Sequence, residues 1–325
     1  MEIALIDYCI AVASHISKEN RVKYLIECLE SLVNQTVSIT IYVSISFSNK
    51  EIEEYALNEI RKNKTIMNYN YLNVILNKIK TAQMQHYLII YKEIKTKHKW
   101  VMFCDDDDSY NLNRVKEIMI RIAKGEEEIK ENKDFTSELG GLYENTTKTN
   151  HSVKRQEYWS YCVNIKLLET FYKHIENESE IINNKCCDVL FAEYLRRKSS
   201  NWCFIHLDML LYNYRIEDNA ESITGFIKSN QEYYTNQSSP PDVKDEKRLD
   251  YILKWNEHLN NNIHIYLHDT YLRTLIGYSL DNILRCEFRS NYQLLEYVDS
   301  KHVDKIEKLY NNMRCVCEKI YEIPL

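Results

Sequence analysis

The sequence predicts an α/β fold: a mostly parallel sheet flanked by helices, with a helical extension at its C-terminal end. Three observations predict it. Over the first hundred residues, short β-branched apolar runs alternate with longer segments of helical period, the order of strands joined by crossover helices. The last of these runs, WVMFC at 100–104, stops abruptly at four aspartates, as a buried strand does when it reaches a site. From Leu249 to Tyr321 the period is mostly helical.

Each element follows from its own pattern. Residues 8–13 (YCIAVA) form a continuous apolar run, which fits a strand covered on both faces. Residues 21–33 place Val22, Leu25, Ile26, Leu29, Leu32 and Val33 on one helical face. ITIYVSIS (39–46) alternates as a strand, 52–61 reads as a helix and YLNVIL (71–76) as a third strand. Residues 83–95 form a helix before the fourth strand. A helix over 113–123 follows, then an exposed charged stretch at 126–134 and a turn at Gly140-Gly141. EYWSYCV (157–163) is strand-like, 167–175 and 188–197 are helical, and 202–214 has strand character. The Ser-, Asn- and Pro-rich segment 228–247 reads as a linker. The expected organisation is a sheet domain at 1–226, a linker or mobile loop at 227–248, and a helical region at 249–325.

Composition then narrows the chemistry. The chain has 325 residues but only 5 glycines and 3 prolines, and no glycine precedes Gly125. A loop that cradles phosphate on its backbone needs glycines, so P-loop NTPases and dinucleotide-binding dehydrogenases of the usual pattern are excluded. A net charge of −6 offers no basic footprint for nucleic acid. No apolar run reaches the ~18–20 residues of a membrane span. The opening MEIALID lacks a basic segment, so no signal peptide is expected. The ten cysteines show no CxxC pair, and Cys9 and Cys104 sit in apolar runs as buried thiols. A reduced, cytoplasmic protein is expected.

Asp105-Asp106-Asp107-Asp108 carries the chemistry. Four adjacent carboxylates repel one another, and a hard divalent cation such as Mg²⁺ or Mn²⁺ relieves that repulsion. On an extended or turning backbone Asp105 and Asp107 face the same way. The alternative is a solvated acidic loop before the next helix. A second acid, Asp188, opens a predicted helix, where it is either an N-cap or a general base. Tyr158, Trp159 and Tyr161 suit stacking on a sugar, and equally suit a core.

The strand running into Asp-x-Asp-Asp resembles the DxD motif of GT-A fold glycosyltransferases, in particular the inverting, family-2-like enzymes. YCIAVASH with Arg21 and the helix ending SLVNQT (31–36) is similar to their opening strand and helix. Lys80 with QMQH (83–86) resembles the segment before the DxD strand in small viral and bacterial members. CDVLF (187–191) looks like the later acidic position, and YNYR (212–215) with SIT (222–224) is similar to the closing element. The resemblance spans about residues 8–225 and implies transfer from a nucleotide-diphosphate sugar, UDP-sugar favoured, to a hydroxyl of a glycan or glycoprotein. It implies Mn²⁺ or Mg²⁺ at Asp105 and Asp107, and a donor held by Ala13, Ser14, His15, Arg21, Lys80, Gln83, Asp105 and Asp106. It also implies a catalytic base at Asp188, with Trp159 and Asp188 at the acceptor. The aspartate run and the composition are closest in flavour to enzymes of large DNA viruses, which implies the host cytoplasm. Two departures stand out. The acid that holds the base after the second strand is replaced by Ser46-Phe47-Ser48, and the late metal-binding His by Ile216-Glu217-Asp218. A nucleotidyl- or phosphoryl-transfer enzyme and a non-catalytic carbohydrate-binding module are the competing readings.

Overall fold

The computed structural model describes residues 7–131, 137–146, 156–215, 248–288 and 299–323. The chain divides into two compact units, Met1–Ile216 and Glu217–Leu325.

In the first unit, β1 (Tyr8–Ile16), β2 (Thr40–Phe47), β3 (Leu72–Asn77) and β4 (Trp100–Asp105) pair in parallel, in the order β3-β2-β1-β4. α1 (Glu19–Val33), α2 (Lys50–Lys62), the short α3 (Lys64–Met67) and α4 (Gln83–Ile94) make the crossovers. The first two crossovers step outward from β1, and α4 carries the chain back to its other side. That reversal makes a switch point between β1 and β4, the position beyond whose carboxyl ends open α/β sheets bind ligands. The strands obey their burial. β1, β2 and β4 are covered on both faces and are almost continuously apolar, whereas the edge strand β3 has no fully buried residue and exposes Asn73, Val74 and Leu76.

The sheet continues through β7 (Tyr161–Asn164), β6 (Leu139–Glu144) and β8 (Cys203–Leu207). β7 is antiparallel to both β4 and β6, and β6 and β8 run parallel. The predicted mostly parallel sheet flanked by helices is therefore present, with seven strands. A two-stranded sheet, β5 (Ser109–Tyr110) with β9 (Tyr212–Asn213), sits directly after the aspartates.

Three local expectations are corrected. α5 runs over Arg114–Glu131, so most of the charged stretch from 126 is helix. Its buried or half-buried positions Ile118, Ile122, Gly125 and Ile129 continue one helical face straight through the glutamates. Gly140-Gly141 lies inside β6 and makes no turn. A Cβ on Gly141 would stand 2.2 Å from the Cys162 carbonyl oxygen, so glycine is needed there for close approach of two strands. Residues 158–160 form a 3₁₀ turn before β7. The remaining helices of this unit, α6 (Ile165–Ile175), α7 (Ser179–Ile182) and α8 (Cys187–Lys198), follow the predicted periods.

The second unit contains α9 (Arg248–Leu275), α10 (Leu280–Phe288) and α11 (Ser300–Tyr321). Tyr266, Leu284 and Ile306 form its apolar cluster, flanked by Ile263, Leu267, Leu280 and Val303. Gly277, at φ 97°, ends α9 in the left-handed region, and Tyr278 N–H donates back to the Arg273 carbonyl at 3.0 Å. The predicted linker lies outside the described residues. Among the described residues no helix is long and apolar enough to cross a membrane, and the nine cysteines are all free thiols.

One buried ion pair ties the small sheet to the large one. Arg114 and Glu144 are both fully buried and paired through Arg114 Nε. Arg114 Nη2 donates to the Trp159 carbonyl at 3.0 Å, and Glu144 Oε2 accepts the Leu211 N–H at 2.7 Å. Leaving either charge alone in this interior is costly. Glu144→Ala is expected to lower stability to urea by about 3–5 kcal/mol, and Arg114→Met with Glu144→Leu by distinctly less than the sum of the single changes. Additive losses in the double variant would show that the two charges are not coupled.

Candidate active site

The four aspartates are not equivalent. Asp105 is the last residue of β4, in register with Ala13 of β1. The chain then turns, and Asp108 N–H donates to the Asp105 carbonyl at 3.2 Å. This turn points successive carboxylates to different partners.

Asp105 Oδ1 accepts from Gln83 Nε2 at 2.8 Å and from the Tyr158 hydroxyl. Gln83 also reaches the Tyr158 oxygen at 2.9 Å. Among the described residues Asp105 Oδ2 accepts no hydrogen bond. Asp106 is buried, with Oδ2 accepting from Ser14 Oγ at 2.7 Å and Oδ1 from Arg21 Nη2 at 2.5 Å. The same guanidinium donates through Nη1 to Asp107 Oδ2 at 2.9 Å, and the Asp107 side chain stays 30% exposed. Asp108 is buried and closes the small sheet, accepting from the Tyr212 hydroxyl at 2.8 Å and the Arg215 N–H at 2.7 Å.

Charge crowding is visible in the proton affinities. Burial, then Asp108 and Asp107, hold the Asp105 carboxyl well above the usual carboxylate range, and Asp188 adds to the push. Burial raises Asp106 to about 6 against the pull of Arg21. Burial likewise raises Asp108 to about 7 against hydrogen bonds from the Arg215 N–H and Tyr212. The cluster is short of positive charge, and Asp105 feels this most.

Asp188 therefore stands near Asp105, although 83 positions separate them in sequence. It lies in the first turn of α8, whose N-cap is Cys186, so Asp188 is not itself the cap. The helix N-terminus favours its ionised form. Glu193, further along α8, is fully buried and clamped by Arg196 at 2.6 Å and Arg197 at 2.8 Å, and so is occupied structurally.

At the ends of β1 and β2, His15 and His86 share Ser46. His15 Nδ1 lies 2.9 Å and His86 Nε2 3.0 Å from its Oγ. His86 is buried and its pKa falls to about 4, through burial first and His15 second. His15 is lowered by burial, Lys80 and Arg21, partly offset by the Ser46 carbonyl. Lys80 itself is exposed in the loop before α4.

No known family matches the sequence, and no curated protein matches it. Among solved structures, S. aureus TarS 1–349 in complex with UDP is similar to this chain with a TM-score of 0.47 and 14% identity, over 95% of this chain and 91% of that one. The same fragment in complex with UDP-GlcNAc gives 0.44 and 12%, over 95% and 92%. A longer TarS structure gives 0.46 and 14%, over 94% and 55%. Likeness of this extent carries no functional inference, and the site has to be read from its own geometry.

That geometry gathers Ala13, Ser14, His15, Arg21, Lys80, Gln83, Asp105, Asp106, Asp107 and Asp188 around the carboxyl ends of β1 and β4. Trp159 is placed differently. It is buried and stacked on Tyr212 at 4.2 Å and on Tyr214 at 5.6 Å, so it offers no open face to an acceptor. Glu217 and Asp218, which stand where the resemblance expects the late metal-binding His, lie outside the described residues. Sequence reasoning named Tyr158, Tyr212, Ser46 and His86 but did not find their roles as partners of Asp105, Asp108 and His15. The aromatic run at 157–163 was a usable signal for Tyr158, but a buried histidine in a helix carries none. A cleft of about 480 Å³, lined by Tyr143, Tyr161, Arg196 and Trp202 among others, lies at the far end of α8 from Asp188.

A histidine kept neutral by burial makes stability pH-dependent. Between pH 6.5 and 4 the unfolded chain takes up a proton at His86 that the folded chain refuses, so stability drops as pH falls through this window. The difference between the parent and His86→Gln is expected to change by about 3 kcal/mol across it, read by urea unfolding at stepped pH. Parallel pH profiles for the two proteins would mean that His86 is not held neutral.

Proposed function

We propose that the protein is a glycosyltransferase moving a sugar from a nucleotide-diphosphate sugar, UDP-sugar favoured, to a hydroxyl of a glycan or glycoprotein, with inversion. The supporting observation is the gathering of Asp105, Asp106 and Asp107 at the carboxyl end of β4 against the end of β1, with Ser14, Arg21 and Gln83 on them and the charge of Asp188 reaching Asp105. One carboxylate able to accept a proton stands next to a cluster that lacks positive charge.

Within this reading the β1 end, Ala13 to His15, meets the nucleoside, and Asp105 Oδ2 accepts a ribose hydroxyl or joins a cation site. Gln83 and Tyr158 hold Asp105 in place from the other side. Arg21 balances Asp106 and Asp107, while the exposed Lys80 is available to the diphosphate. Among the described residues no group of three acidic, His or Cys side chains forms a cage for a metal. The donor set fits a hard cation of the Mg²⁺ kind, which takes one or two carboxylates and completes its shell with phosphate and water. Asp107 and Asp105 would hold it, and bound there it supplies positive charge against the departing diphosphate. Asp188 takes the acceptor's proton as the acceptor oxygen attacks the anomeric carbon.

Titration calorimetry with Mn²⁺ and a panel of UDP-, GDP- and dTDP-sugars tests the reading. Binding of a nucleotide sugar that requires the cation, and that is lost in Asp107→Ala, is expected. Pyrophosphate release from a plain nucleoside triphosphate would instead indicate nucleotidyl transfer, and sugar binding without a nucleotide a carbohydrate-binding module. Asp188→Asn should keep donor affinity while transfer falls by about 10²–10⁴. Transfer near the parental rate in that variant would remove Asp188 as the base.

A further inference from the structure

The ends of β1, β2 and β3 carry a chain of polar groups whose hydrogen bonds can be followed outward from Asn77, which also lies 3.3 Å from His86 Nδ1, to His15. Asn77 Nδ2 faces the Ile45 carbonyl at 3.2 Å, which can only accept, so the amide nitrogen is fixed as the donor. The same nitrogen donates to Ser44 Oγ at 2.8 Å. Ser44 is fully buried, so its own hydrogen must find an acceptor, and His86 Nδ1 is 2.8 Å away. With Nδ1 accepting, the neutral His86 ring carries its hydrogen on Nε2 and donates to Ser46 Oγ at 3.0 Å. Ser46 also receives the Thr81 N–H at 3.3 Å. Its hydroxyl therefore donates onward, to His15 Nδ1 at 2.9 Å. The hydrogen of His15 is left on Nε2, on the exposed side of the ring beside Ser48 Oγ at 3.3 Å.

Resting on the glycosyltransferase reading, we propose that this relay makes His15 a fixed, neutral hydrogen-bond donor that selects a pyrimidine with a keto oxygen rather than an amino group at C4, the position that meets the ring. His15 ends β1 next to Ser14, which holds Asp106, so it borders the same switch point. Lys80 and Arg21 nearby are the cations suited to phosphate, and they oppose a third positive charge on the ring. A neutral donor among cations suits the uncharged part of the ligand. An exocyclic amino group would set N–H against N–H, whereas a keto oxygen accepts from Nε2 and completes the chain.

Long-range ¹H–¹⁵N correlation spectra of the imidazoles, with UDP and CDP titrations on the same protein, test this. The parent should show both His15 and His86 as Nε2–H tautomers and bind UDP about ten- to a hundredfold more tightly than CDP. Ser46→Ala should turn His15 into a mixture of tautomers and shrink the UDP/CDP ratio. His15→Gln, whose amide can present either its oxygen or its nitrogen, should bring the ratio close to one. A hydrogen on His15 Nδ1 in the parent overturns the relay. A UDP/CDP ratio unmoved in both variants, in a protein that still transfers sugar, overturns this inference alone. No binding of either nucleotide overturns the glycosyltransferase reading together with it.

Discussion

Repulsion among four consecutive carboxylates at the end of a buried strand is the constraint around which the first unit is arranged. Left in an extended line they would crowd one solvent-facing edge. The turn closed by Asp108 N–H on the Asp105 carbonyl separates them and gives each a different answer. Asp106 is turned inward to Ser14 and Arg21, and Asp108 to Tyr212 and the Arg215 N–H. Arg21 spans Asp106 and Asp107 together. Asp105 receives neutral donors only, which leaves its charge the least compensated.

Those answers come from elements far apart in the chain, which is how one local problem shapes a whole domain. Arg21 comes from α1, Gln83 from α4, Tyr158 from the turn before β7, and Tyr212 from β9. β9 pairs with β5 immediately after the aspartates, and Tyr212 both accepts from Asp105 N–H and donates to Asp108. Behind it the Arg114 guanidinium lies 4.0 Å over the Tyr110 ring and 5.2 Å from that of Tyr212. The buried ion pair to Glu144 thus sits directly beneath the phenol that organises the aspartate turn.

The legible part of the sequence was what local period and strand ends encode. The strands β1 to β4, their crossover helices and the arrival of the aspartates at a carboxyl end all follow from apolar runs whose burial covers both faces. The misreadings came where one residue type serves two purposes. Gly141 is a residue of close approach between strands, although a glycine pair reads as a turn. Trp159 reads as a sugar platform, but stacking on Tyr212 and Tyr214 absorbs its ring. Neither Tyr212 nor Glu144 could be assigned its partner from sequence, because each acts across a distance in the chain that no local pattern reports.

The two sides of the switch point handle polarity in opposite ways. At β4, charges are placed against charges, and burial raises the carboxyl groups because the compensation is incomplete. Around His15 and His86, among the described residues, no carboxylate is hydrogen-bonded. The Asn77 amide and the Ser44 and Ser46 hydroxyls, each hydroxyl with one hydrogen to give onward, surround His86 with neutral groups, so burial costs the network little as long as the ring stays neutral. A neutral chain of this sort transmits direction where a carboxylate would simply attract any donor. Replacing the acid expected after the second strand with Ser46-Phe47-Ser48 therefore does more than remove a charge. It puts at the end of β2 a hydroxyl that accepts from one side and donates on the other, held between His86 and His15.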